Sequence, residues 1–175
     1  MSTVTDPFLD SLGTAGVAGE AGWLAELRRQ GRDSYAAHGL PSAKLERWKY
    51  TNLNALRKLT FQAANDAAVP AEFSDLLDDL DAYRLVLVNG RFAPGLSDLA
   101  GLEDGLSVED LAGALGRDDS GLGDHLAALS GDASDAMSAL NAAHLNDGAV
   151  IRIARGKQIA KPVHLIHLAV GGDSP

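Results

Sequence analysis

Apolar side chains recur at helical spacing first between about Glu20 and His38, where Leu24, Leu27 and Tyr35 fall on one side with Trp23 beside them. The same wheel sends Arg28, Arg29 and Arg32 largely away from that side. Gly39 is expected to end the helix as a left-handed cap, and Leu40-Pro41 keep it from resuming. Thr51 is placed to cap a short turn through Leu53 and Leu56, and Lys58 to Gln62 reads as a brief strand. Phe73, Leu76, Leu77 and Leu80 predict a helix over 71–81 with its aspartates outward.

Period-two and continuous apolar patterns take over next. Arg84 to Val88 reads as a strand running into Asn89-Gly90, a pair that accepts the positive φ angles of a tight hairpin, with Arg91-Phe92 leading away. Ser107 with Asp110 is expected to open a helix through Val108, Leu111 and Leu115, closed by Gly116. Leu122, Leu126 and Leu129 predict another helix. Asp132 would cap a third, with Ala133, Ala136, Met137, Leu140 and Ala143 inward. After the turn Asn146-Asp147-Gly148 come two strands, Ala149–Ala154 and Pro162–Val170, joined through Arg155-Gly156-Lys157. The second is apolar on both faces, the pattern of a strand covered on each side. Such a strand needs neighbours, so residues 149–170 are expected to begin a larger β-domain and the chain to be the front of a longer protein.

Composition narrows the classes. The chain has 175 residues, 46% of them hydrophobic, enough for a buried core. Its net charge of −9 opposes general attraction to nucleic acids or anionic membranes. That charge is uneven: 20–65 hold eight basic and four acidic residues, 66–147 three and seventeen, and 148–175 four and one. Cysteine is absent, which removes disulfides, thiol nucleophiles and Cys-ligated metals. No apolar run reaches the roughly 20 residues of a bilayer span, and the first residues lack a signal peptide's basic start and apolar core. A cytoplasmic protein is expected.

Candidate chemistry is sparse. Arg47-Trp48-Lys49-Tyr50 carries the ingredients of single-strand recognition. In an extended segment, however, Trp48 and Tyr50 share one side and Arg47 and Lys49 the other, so both aromatics are expected to dock into a core, with the cations in solvent or paired to the acidic middle. His164 and His167 lie on opposite faces of one strand and cannot meet at one ion. His38 and His144, with Asp147, sit at helix ends, and His125 lies on a polar face. Ser34 and His38 share a helix face without an acid partner, since Asp33 points elsewhere, and no Gly-x-Ser-x-Gly elbow exists. Asp78, Asp79 and Asp81, and Asp118 with Asp119, read as solvated groups rather than a general acid and base. Gly156-Lys157 lacks the upstream glycine of a phosphate loop. No catalytic, cofactor-binding or metal residues are assigned.

Four stretches together carry a resemblance: GLPSAKLERWKYTNL at 39–53, LVLVNGRFAPGLSDL at 85–99, ALNAAHLNDGAVIRIARG at 139–156 and KPVHLIHL at 161–168. In this order they resemble the amino-terminal part of the SufD family of iron–sulfur cluster assembly proteins. The chain departs from the family's usual charged run at Ser42-Ala43-Lys44-Leu45. The resemblance implies a non-enzymatic scaffold: an amino-terminal helical domain, a right-handed parallel β-helix that pairs with a SufB-like scaffold, and a later helical domain that holds a SufC-like ATPase in a SufBCD complex. It also implies that cluster-related and ATPase-contacting residues lie downstream, and no cofactor is expected here. The expected fold class is therefore α+β, an amino-terminal helical domain with a short hairpin followed by the first strands of the β-helix. The expected divisions are a flexible arm at 1–19, a mainly helical domain at 20–147, and β-helix strands at 148–175. Trp48, Tyr50, Phe92, Ile151, Ile153, Val163 and Leu165 are expected to act by packing. The alternative reading is a small binding module that takes single-stranded nucleic acid on Arg47-Trp48-Lys49-Tyr50.

Overall fold

A computed structural model of the chain describes residues 21–56, 59, 69, 73, 80–117, 121–130 and 135–171, an α+β arrangement with a helix at its amino-terminal side and a few strands. The arm at 1–19, the strand expected at 58–62 and the helix expected at 71–81 lie, but for single residues, outside these. Contacts divide the chain into two compact units, each built from separated stretches: Met1–Ala63 with Leu115–Leu145, and Ala64–Ala114 with Asn146–Ser174.

The first unit is helical. Helix α1 (Gly22–His38) buries Leu24, Leu27, Arg28, Gly31 and Tyr35, one stripe at helical spacing. Arg28 thus corrects the expectation that it points away, since it is only 3% exposed. The reason is long-range: its Nε and a terminal nitrogen donate to the Leu145 carbonyl at 3.1 and 2.5 Å, satisfying an acceptor just past another helix's end. Gly39 takes φ 62° and ψ −170° while its N–H bonds to Tyr35 O. The positive φ is as expected of glycine, but the chain leaves extended rather than in a left-handed turn. Asn52, rather than Thr51, supplies the next turn's side-chain acceptor, to Asn54 N at 3.0 Å.

Leu115 falls in this unit as the last residue of the short helix Leu111–Leu115, termed α2. Helix α3 (Leu122–Ser130) follows, and its Gly123 approaches the Trp23 ring. Helix α4 (Ala136–Ala143) is capped by Asp135, whose carboxylate accepts from Met137 N and Ser138 N. That corrects the expected Asp132 cap; residues 131–134 lie outside those described. Helices α1 and α4 cross so closely that a Cβ on Gly31 would lie 2.6 Å from Ala139 O and Ala143 N. Tyr35, Leu40, Ala136, Ala139 and Leu140 form the adjoining core, with Leu53, Leu56 and Met137 against it.

The second unit holds the strands. Strand β1 (Tyr83–Val88) turns through Asn89 (φ 50°) and Gly90 (φ 80°) into β2 (Arg91–Phe92), the tight hairpin the Asn-Gly pair predicts. Strand β5 (Val163–Leu168) pairs parallel with β1, giving the order β2-β1-β5. Leu85 and Val86, consecutive residues of the central strand β1 whose side chains point to opposite faces of the sheet, are both fully enclosed. Strand β3 (Leu106–Asp110) pairs antiparallel with β4 (Ala149–Ile153) as a two-stranded sheet. Residues 107–110 are therefore strand, not the start of a helix: five paired positions with β4 override the Ser107 capping signal. Asp110 opens α2 in its place, accepting from Gly113 N at 2.6 Å.

Candidate functional site

The strand surfaces of the second unit remain incomplete among the described residues. Parallel strands are ordinarily buried on both faces, because each exposed face and edge leaves apolar surface or unpaired backbone in water. Among the described residues β5 bonds to β1 along one edge and ends its sheet. Its Leu165 is 44% exposed, and on β4 Ile151 and Ile153 are 40% and 56% exposed. Val150, on the opposite face of β4, is buried. The expected packing of Ile151, Ile153 and Leu165 is thus not made within the described residues, whereas Phe92 and Val163 are half-buried.

Side-chain hydrogen bonds hold these strands in place. Asp147 accepts from Phe92 N at 3.0 Å, Ala112 N at 3.2 Å and Gly148 N at 2.7 Å, tying the hairpin, the α2 start and the turn into β4 to one carboxylate. Glu103 accepts from Ala160 N at 3.0 Å and Lys161 N at 2.9 Å, and its own N–H donates to the Tyr83 hydroxyl. Those two backbone donors hold the Glu103 carboxyl below the usual carboxylate range. Asn89 exchanges two bonds with Val170, its amide donating to Val170 O at 2.9 Å and its carbonyl accepting from Val170 N at 3.0 Å. The β1–β5 ladder is thereby prolonged past Leu168. Ion pairs Arg152–Glu109 and Lys157–Asp104 brace β4 and the following turn. Sequence pattern identifies the Asn146-Asp147-Gly148 turn but not its reach, because two of the Asp147 partners, Phe92 and Ala112, are remote in sequence.

The Arg47-Trp48-Lys49-Tyr50 stretch is a 3₁₀ turn at Glu46–Trp48, not an extended segment. Trp48 is half-buried, but Tyr50 is 92% exposed, which corrects the expectation that both aromatics dock into a core. Arg47 reaches Asp135 at 4.0 Å, within the expected pairing to the acidic middle.

Among the described residues no three His, Asp or Glu side chains gather as a metal site. His164 and His167 lie on alternate faces of β5, His38 contacts Ser34 O at 2.8 Å, and His125 is exposed. His144 caps α4 with its Nε2 enclosed and unpartnered; burial first, then Arg32 and Arg28, push its pKa below the usual histidine value. A recess of about 440 Å³ between α1, α3 and α4 is lined, among the described residues, by Leu27, Leu126, Met137, Ala142, Leu145 and two neutral polar residues, none of them an acid or base. A polar recess of about 350 Å³ borders Asp81, Arg84, Asp98, Lys161 and His164. There Lys161 pairs with Asp81 at 2.7 Å, Arg84 donates to Leu96 O, and Asp98 accepts from Ala100 N.

Residues 17–165 match the family profile described as the SufBD protein N-terminal region. The chain belongs to the SufBD family. It is 29% identical over 154 residues to an iron-sulfur cluster assembly SufBD family protein of Synechocystis, covering 87% of this chain and 34% of that protein. It is 33% identical over 141 residues to the iron-sulfur cluster assembly protein SufD of Escherichia coli, covering 76% of this chain and 29% of SufD. The chain thus spans about a third of the length of these SufBD relatives. No helix among the described residues is long and apolar enough to cross a membrane.

Proposed function

We propose that this chain is a non-catalytic scaffold element of iron–sulfur cluster assembly, the amino-terminal part that caps and enters a right-handed parallel β-helix. The observation that carries the reading is the family match together with two strands, β4 and β5, that present Ile151, Ile153 and Leu165 outward. Apolar strands of this kind lose their exposed surface when further coils stack on them, at roughly 25 cal/mol per Å² removed from water. In this reading a SufB-like scaffold and a SufC-like ATPase engage the cytoplasmic assembly mainly through regions downstream of residue 175. The chain has no cysteine with which to hold a cluster through sulfur.

Affinity capture tests the proposal. Tagged versions of this chain and of a polypeptide extended through the full β-helix are incubated with SufB-like and SufC-like proteins. Capture by the extended form alone supports the capping role. Capture of neither protein by the extended form contradicts it.

A further inference from the structure

The turn at residues 42–51 presents a surface that the scaffold reading does not use. Backbone bonds from Leu45 N to Ser42 O, Trp48 N to Leu45 O, Lys49 N to Glu46 O and Thr51 N to Trp48 O wind the segment in steps of three. Side chains three apart eclipse one another in such winding. Arg47 and Tyr50 therefore share one ridge, whereas an extended chain would separate the aromatics from the cations; Leu45, still extended at φ −81° and ψ 127°, leads into the turn. Tyr50 is 92% and Leu45 52% exposed. The Arg47 and Lys49 side chains are 71% and 51% exposed, and Lys49 Nζ stands 5.6 Å from the Tyr50 ring centre. An exposed tyrosine close to arginine and tryptophan is the composition of an interface anchor.

We propose that this turn docks an acidic, extended protein segment, placing an apolar side chain against Tyr50 and carboxylates on Arg47 and Lys49. Charge complementarity selects the occupant. Lys44, Arg47 and Lys49 outnumber Glu46 and Asp135, the acidic partners of Lys49 and Arg47, although the chain as a whole carries −9. A short segment senses charges within about 8 Å at physiological salt, so it meets the basic turn. A nucleic acid strand integrates the repulsion of the whole chain, and it finds one exposed ring here where stacked bases need successive platforms. This inference is independent of the scaffold reading.

The test is a fluorescence-anisotropy titration of the protein with three labelled probes: a short peptide of glutamates around a central phenylalanine, the same peptide with lysines for glutamates, and an oligothymidylate. The glutamate peptide should bind at least tenfold more tightly than either other probe. Tyr50→Ala should weaken it about tenfold, and the pair Arg47→Glu with Lys49→Glu should abolish it. Arg155→Glu, an exposed charge reversal in the other unit, should leave binding within twofold. Circular dichroism melting should match across the variants, because the replaced side chains are exposed. Equal binding of the two peptides, tighter binding of the oligothymidylate, or affinity unmoved by Tyr50→Ala would each overturn the proposal.

Discussion

Replacing Gly31 by alanine adds one methyl group where α1 crosses α4. The added Cβ would lie 2.6 Å from Ala139 O and from Ala143 N, about 0.8 Å inside the 3.4 Å at which ordinary contact begins. Both atoms belong to a helix backbone, which cannot rotate away as a side chain does. Relief therefore requires α1 and α4 to separate, loosening Leu27, Tyr35, Leu140 and the Arg28 bond to Leu145. Overpacking of this kind costs about 1–3 kcal/mol, and a rigid obstacle places it near the upper end. Alanine's better helix propensity returns about 1 kcal/mol, leaving a net loss of about 2 kcal/mol. Gly22→Ala is the matched control, since nothing lies within 4 Å of its Cβ, and it should be neutral or slightly stabilising. Urea denaturation followed by tryptophan fluorescence is the assay, because the chain's two tryptophans, Trp23 and Trp48, both lie in the helical unit. A Gly31→Ala protein as stable as the parent would refute the close crossing.

Three further outcomes follow from the same geometry. Asp147→Ala strips one acceptor from three backbone N–H groups and should cost about 2 kcal/mol, read as faster hydrogen exchange at the Phe92 and Ala112 amides; unchanged exchange would remove Asp147 as the organiser of the hairpin. His144 binds a proton less readily folded than unfolded, so the helical unit should lose stability as pH falls below 6.5, and His144→Gln should flatten that slope in the fluorescence assay. Glu103 has the depressed pKa of a bonded carboxylate, so its contribution is complete above 4.5 and lost as pH falls below it; in Glu103→Gln the strand unit should show a weaker acid dependence by near-ultraviolet dichroism of Tyr83.

How much of this was legible depended on the distance over which each feature is decided. Helix α1, the Asn89-Gly90 hairpin and strands β4 and β5 are written in local spacing and turn chemistry, and the structure has them where the pattern puts them. Residues 107–110 read as a helix start because Ser107 and Asp110 satisfy a capping pattern; pairing with β4, 39 to 45 residues away in the sequence, decides otherwise. Arg28 looked solvent-facing because a lone wheel cannot show that a free carbonyl waits at Leu145. An extended chain would put Trp48 and Tyr50 on one side, and the 3₁₀ winding at Glu46–Trp48 removes that premise. What spacing could not reveal were the organising polar groups, Asp147, Glu103 and Asn89, whose partners are remote in sequence.

Cysteine accessibility at Leu165 tests the open strand most directly, because the chain contains no other cysteine to react. Leu165→Cys in this 175-residue chain should react with a maleimide at nearly the rate of a free thiol, as its 44% exposure dictates. In a polypeptide extended through the β-helix, the same thiol should react at least a hundredfold more slowly. Equal rates in the two forms would contradict the claim that β5 is covered by further strands.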